Sequence, residues 1–183
     1  MIDELLAEAK SKMDQAIAHT VDEFSTVRTG RANPNLLSRI TVDYYGTQTP
    51  LQQIAGFSVP EARMLLVQPY DKSSIQAIEK AIMSADLGLN PSNDGNLIRL
   101  AFPQLTEERR KDLIRMVRHL AEDGRIAIRN VRRHIKDDIE SLEGDVSEDD
   151  VRRAEKTLQE MTDAHVHKID GLVSKKEDEL LEV

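Results

Sequence analysis

Between Thr106 and Leu142 the sequence permits little besides one long helix. Apolar or small residues stand at Leu113, Val117, Leu120, Gly124, Ala127, Val131, Ile135 and Leu142. Steps of three and four put residues on one side of a helix. A second row, Arg118, Arg125, Arg129, Arg132 and Lys136, also runs in helical steps. At about 100° per residue Arg129 points well away from Ala127 and Val131, so one face can be buried while another presents guanidinium groups. From Arg109 to Lys136 there are ten Lys and Arg against three acids, Asp112, Glu122 and Asp123, in a chain of net charge −8. Positive charge gathered on one face of an acidic protein points to a phosphate-rich partner. At 1.5 Å per residue such a helix runs about 55 Å, so the molecule should be elongated.

The 183 residues suffice for one sizeable domain or two small ones. Tryptophan is absent and aromatics are 3%, so the core must be mainly aliphatic. The absence of cysteine excludes disulfides, thiolate chemistry and cysteine-type zinc sites, and suits a reducing cytoplasm. Met1 runs straight into the amphipathic pattern Ile2, Leu5, Leu6, Ala9, which is not the pattern of a signal peptide. No apolar run approaches the roughly 20 residues that span a bilayer, so no membrane is expected.

Residues 2–28 read as a first helix with a seam through Leu6, Ala9, Met13, Ala16, Ile17, Val21, Phe24 and Val27. Thr29-Gly30 ends it and Asn33-Pro34 discourages continuation. Between Arg31 and Pro103 prolines and glycines concentrate and the character changes. Ile40, Val42 and Tyr44 alternate as a strand, Phe57–Val59 is extended, and Met64–Val67 suits a buried strand. Ser73-x-x-Gln76 has the form of a capping box opening a helix over 74–85. Asn93-Asp94-Gly95 signals a turn before a strand over 97–102. Six basic residues balance six acids in this segment. Thr106 is the expected N-cap of the long helix. Ser147-x-x-Asp150 opens a third helix with a seam through Val151, Ala154, Leu158, Met161, His165, Ile169, Leu172 and Leu180.

The expected fold class is therefore α+β. Residues 1–29 and 106–183 form an elongated three-helix bundle, into which residues 31–103 are inserted as a small α+β domain. Two hinge strands join the bodies, at Thr29, Gly30 and Arg31 and at Pro103, Gln104, Leu105 and Thr106. Two crossings can bend while resisting free rotation.

Ile128-Arg129-Asn130-Val131-Arg132-Arg133 is the sharpest chemical feature, since the planar fork of Arg suits phosphate or a guanine edge. The rival explanation is a solvated face paired with acids, but acids four residues away are few in this span: Asp137 can reach Arg133, while Arg129 and Arg125 see each other. Thr29 to Pro34 lacks the spacing of a phosphate loop. Asn90 to Gly95 is explained by turn chemistry. The histidines and the acids near Asp145 lack metal-ligand spacing, so no metal is expected. No nucleophile pattern is visible, and neither catalytic residues nor a cofactor are expected.

Six motifs carry a family resemblance. They are Arg28-Thr29-Gly30-Arg31-Ala32-Asn33-Pro34, Asp43-Tyr44-Tyr45-Gly46, Pro60-Glu61-Ala62-Arg63, Asn93-Asp94-Gly95, Pro103-x-Leu105-Thr106-Glu107-Glu108-Arg109-Arg110 and Arg129-Asn130-x-Arg132-Arg133. In this order over essentially the whole chain they resemble the bacterial ribosome recycling factors. The resemblance implies an L-shaped molecule with a β/α/β domain, and a monomeric, non-enzymatic, cytoplasmic translation factor. It would bind the post-termination ribosome through ribosomal RNA of the large subunit. With elongation factor G, which uses GTP, it would split the ribosome into subunits. It further implies that Arg132 is the key RNA contact, with Arg129 and Arg133 beside it. Arg125 and Lys136 continue the row, and Arg28, Arg31 and Arg110 would contribute near the elbow. The small domain would be the part that the motor factor pushes.

Two other classes compete. A helical-bundle scaffold, or an RNA-binding adaptor without a role in splitting, would use the same helices. An enzyme would need convergent titratable groups, for which Asp43, Tyr44 and Asp71 are the candidates.

Overall fold

The computed structural model describes residues 1–182. The chain is α+β, and it divides into two compact units, Met1–Phe24 with Lys111–Glu182, and Ser25–Arg110.

The first unit is built from three helices, α1 (Ile2–Ser25), α4 (Glu107–Glu140) and α5 (Glu148–Leu181). With 34 residues, α4 is about 51 Å long. Thr106 does cap it, its hydroxyl accepting from Arg109 N at 3.1 Å. Its buried residues are Leu113, Val117, Ala121, Gly124, Ile128, Ile135 and Ile139. The expected seam is right at Leu113, Val117, Gly124 and Ile135. Leu120, Ala127, Val131 and Leu142, however, are only half-buried, while Ala121, Ile128 and Ile139 take the centre. Steps of three and four leave two phases nearly equivalent, and two neighbouring helices select a wider stripe than one row describes. The helix stops at Glu140 rather than Leu142 because its last turn tightens, with Leu142 N bonded to Ile139 O.

At Gly124 all three helices come close together. A Cβ built there would lie 2.4 Å from Thr20 Oγ1 and 2.9 Å from Ile169 Cδ1. Thr20 is 2% exposed and its hydroxyl donates to Ala16 O at 2.9 Å. Val21, expected in the seam of α1, is instead 45% exposed. A small β-branched residue fits opposite a glycine where a larger side chain would hold the helices apart. On α5, Thr162 and Lys176 are buried where the spacing points to Met161 and Leu172, and those two are half-buried. Ser147 caps α5 by accepting from Asp150 N, as its motif predicts. α1 ends at Ser25, three residues early; Val27 and Thr29, beyond its end, are both buried.

His165 ties α5 to α1. It is 4% exposed, with Nδ1 2.7 Å from Met161 O and Nε2 2.8 Å from Asp14 Oδ1. Hydrogen bonds from Lys10, then from His165, lower the Asp14 pKa to about 2. A depressed carboxylate adds stability that is complete above its unfolded pKa, near 3.9, and is lost as pH falls through the folded value. The destabilisation of Asp14→Asn relative to the native chain, measured by urea unfolding, should therefore be full at pH 7 and shrink between about pH 4 and 2. A difference independent of pH over that window would contradict the ion-pair account.

The second unit holds two antiparallel sheets. β1 (Thr41–Tyr44) pairs with β2 (Thr47–Pro50). The larger sheet, from β3 (Ala55–Glu61), β4 (Met64–Pro69), β5 (Pro91–Asn93) and β6 (Ile98–Ala101), has the order β3-β4-β6-β5. Helix α3 (Ile75–Ser84) lies over an aliphatic core that includes Val42, Leu65, Val67, Ile78, Ile98 and Leu100. The pairing of β3 with β4 shifts register between Ser58 and Glu61, where Pro60 has no N–H to donate. The short helix α2 (Leu51–Ile54), a 3₁₀ turn at Pro34–Leu37 and strand β5 are elements the sequence pattern does not announce. The capping box at Ser73 is not used. Asp71 instead accepts from Ser73 N at 2.9 Å and caps a 3₁₀ turn, Lys72–Ser74, that leads into α3. All three tyrosines, Tyr44, Tyr45 and Tyr70, lie in this unit, the first two in edge contact at 4.6 Å.

Candidate nucleic-acid interface

The row on α4 is more varied than its spacing suggests. Arg118 Nε donates to Glu177 at 2.6 Å. Arg125 is held by Asp170 at 2.6 Å and Glu122 at 3.2 Å, and its side chain is only 20% exposed. Burial pulls its pKa down, but the hydrogen bonds to Asp170 and Glu122 outweigh this and leave it raised. Arg129 shares Glu122 at 3.0 Å. The bonds from Arg129 and then Arg125 hold the Glu122 carboxyl below its usual range. Lys136 meets Glu140 at 2.9 Å and Glu155 at 3.7 Å, and the Glu140 bond raises its pKa. The expectation that acids would be scarce around this row is thus corrected. Most of them come from α5 across the groove, which no count along α4 can find.

Arg132 differs from these. Its Nη1 donates to the amide oxygen of Gln159 at 3.0 Å, a neutral partner. Arg133 is exposed to solvent beside it. Among the described residues, the stretch Arg132-Arg133 is where the row carries charge that no carboxylate within bonding distance offsets.

The structure brings Arg125, Arg129, Arg132, Arg133 and Lys136 together on the bundle, and places Arg28, Arg31 and Arg110 in the second unit. Burial, and then the like charge of Arg109, lowers the pKa of the Arg28 guanidinium, whose Nη1 lies 3.5 Å from Gly88 O. Arg110 donates from Nη2 to Leu105 O at 3.4 Å, and its buried Nε has no hydrogen-bond partner. Arg31 is exposed and engaged in an interaction of its own. Gly30 has φ +82°, and a Cβ there would stand 3.3 Å from Leu105 Cγ, so the expected hinge strands touch at these residues.

The carboxylates considered for catalysis have local work. Asp71 accepts from Tyr45 Oη at 2.7 Å and from Ser73, in that order the causes of its lowered pKa. Asp43 accepts from Gly46 N in the β1–β2 turn. No helix among the described residues is long and apolar enough to cross a membrane.

Fold and surface together define an α+β protein whose helical unit carries an arginine row that includes an open pair. The family description ribosome recycling factor matches residues 20–181. The ribosome-recycling factor of Acidothermus cellulolyticus is 57% identical and that of Bacillus subtilis 53%, each over the whole of both chains. The solution structure of a ribosome recycling factor superposes with a TM-score of 0.83 at 41% identity, covering 100% of this chain and 98% of that one. A second match is to models for the T. thermophilus ribosome recycling factor and the E. coli elongation factor G bound to the E. coli post-termination complex. It has a TM-score of 0.71 at 48% identity, over 99% of each chain. The chain belongs to the ribosome recycling factor family.

Proposed function

We propose that this protein binds the post-termination ribosome and, with elongation factor G and the GTP that factor consumes, splits the ribosome into subunits for reuse. The observation that carries this reading is the full-length relationship to ribosome recycling factors, one of which is described bound to a post-termination complex with elongation factor G. The protein works in the cytoplasm as a monomer and catalyses no reaction of its own. Light scattering of post-termination ribosomes with this protein, elongation factor G and GTP should fall as subunits separate, and should stay level when any one is omitted. Splitting that proceeds equally without this protein would overturn the reading.

The arginine row supplies the grip on large-subunit ribosomal RNA. Arg132 and Arg133 lead, Arg129 assists, and Arg125 and Lys136 add field while bracing α4 against its neighbours. Arg28, Arg31 and Arg110 form a second set of contacts. Displacing counterions from RNA phosphates makes such binding salt-dependent.

Thr29, Gly30 and Arg31, with Pro103, Gln104, Leu105 and Thr106, serve as paired hinge strands between residues 1–29 with 106–183 and residues 31–103. The second body, balanced in charge, meets RNA only beside the hinge, at Arg31, and moves when pushed. A cross-link that locks the two bodies should preserve ribosome affinity and abolish splitting. A locked form that splits ribosomes at the normal rate would refute the hinge.

A further inference from the structure

A groove of about 370 Å³ opens between α4 and α5, walled by Arg132, Lys136, Arg152, Glu155, Lys156 and Gln159. Four of these six side chains are cationic and one is acidic. The α5 cations are loosely held, Arg152 at 3.8 Å from Glu148 and Lys156 at 3.9 Å from Glu160. On the groove's lining, Gln159 has both ends of its amide engaged. Its Oε1 accepts from Arg132, and its Nε2 donates to Asp163 Oδ1 at 2.8 Å. A carboxylate can only accept, so Asp163 fixes which end of the amide faces it. The oxygen is thereby left for Arg132.

We propose that Gln159, keyed by Asp163, is a positioning residue that sets the Arg132 guanidinium on the lining of the α4–α5 groove without cancelling its charge, so that it meets an RNA phosphate there. This rests on the reading of the row as an RNA grip. The contrast along α4 supports it. Arg118, Arg125, Arg129 and Lys136 are each held by a carboxylate. A carboxylate both orients an arginine and competes with phosphate for it. A neutral amide gives the orientation alone, and an arginine whose fork is already set loses less freedom on binding. The guanidinium has donors left after one bond to Gln159. Arg152 and Lys156 on the opposite wall place further positive charge about the same phosphate.

Gln159→Glu tests this through a double-mutant cycle, which isolates the coupling of two residues. Affinity for 70S ribosomes would be measured against salt for the native chain, Gln159→Glu, Gln159→Leu, Arg132→Ala, and Arg132→Ala combined with each Gln159 substitution. Gln159→Glu should weaken binding about tenfold and flatten the salt dependence by about one unit, as neutralising one phosphate contact does. In the Arg132→Ala background the same change should cost less than about twofold. Gln159→Leu, which adds no charge, should lose about threefold, again only when Arg132 is present. Thermal unfolding of the Gln159 variants should match the native chain, since the residue is exposed. Equal losses in both backgrounds would mean that the new charge acts at long range, and would overturn the proposal. Native affinity in Gln159→Leu would overturn the positioning role. A loss in Arg132→Ala with none in either Gln159 variant sinks this inference alone. Native affinity in Arg132→Ala sinks the RNA-grip reading and this inference with it.

Discussion

Arg132→Ala is expected to bind post-termination ribosomes about thirtyfold more weakly while melting at the temperature of the native chain. The size is that of a central arginine in a nucleic-acid or protein interface, about 2 kcal/mol. The salt dependence of binding should flatten by about one unit, because one fewer phosphate is neutralised. The fold should be indifferent because the side chain is half-buried and its bond is to a surface amide. Arg125→Ala supplies the contrast. It leaves Asp170 without its partner, and Glu122 with Arg129 alone, at a side chain that is 20% exposed, so its cost should appear first in stability. Ribosome affinity plotted against melting temperature would separate the two variants along different axes. If Arg132→Ala retained native affinity, the open pair in the row would not be the grip.

Gly124→Ala is expected to destabilise the bundle by about 1–3 kcal/mol, although alanine is the better helix former by about 1 kcal/mol. The added methyl would meet Thr20 Oγ1 at 2.4 Å and Ile169 Cδ1 at 2.9 Å. Ile169 can rotate its terminal methyl, but Thr20 is fixed by its bond to Ala16 O. Combining the change with Thr20→Ala removes the nearer obstacle, since Thr20 Cβ stands 3.5 Å away. The double variant should recover most of the loss in a thermal or urea melt. A Gly124→Ala chain more stable than the native one would mean that the three helices do not pinch at this residue.

Much of this architecture is legible because helical periodicity is a local property. The three helices, their caps at Thr106 and Ser147 and the strands around Val42, Met64–Val67 and Ile98 all follow from spacing and turn residues. What escapes depends on partners far along the chain. Whether Val131 or Ile128 takes the centre of α4 is decided by α1 and α5, and so is the replacement of Val21 by Thr20 opposite Gly124. The Ser73 motif fails because Asp71, two residues earlier, offers a charged acceptor to the same N–H. In the arginine row the residue types and their face can be read directly. Glu122 and Glu140, on α4 itself, can be counted along the helix, but Glu155, Asp170 and Glu177 reach α4 only once the helices pack. Gln159 gives no signal of its own. An exposed glutamine on a helix acquires meaning only from the arginine opposite it.

The uneven placement of aromatic side chains has a practical outcome. Every intrinsic fluorophore in the ultraviolet range beyond phenylalanine, namely Tyr44, Tyr45 and Tyr70, belongs to Ser25–Arg110, and tryptophan is absent. Tyrosine emission during denaturation therefore reports on that body alone, while far-ultraviolet dichroism is dominated by α1, α4 and α5. An unlabelled sample thus carries two independent optical channels, one for each half of the molecule. Whether the halves melt together can be read from whether the two traces coincide.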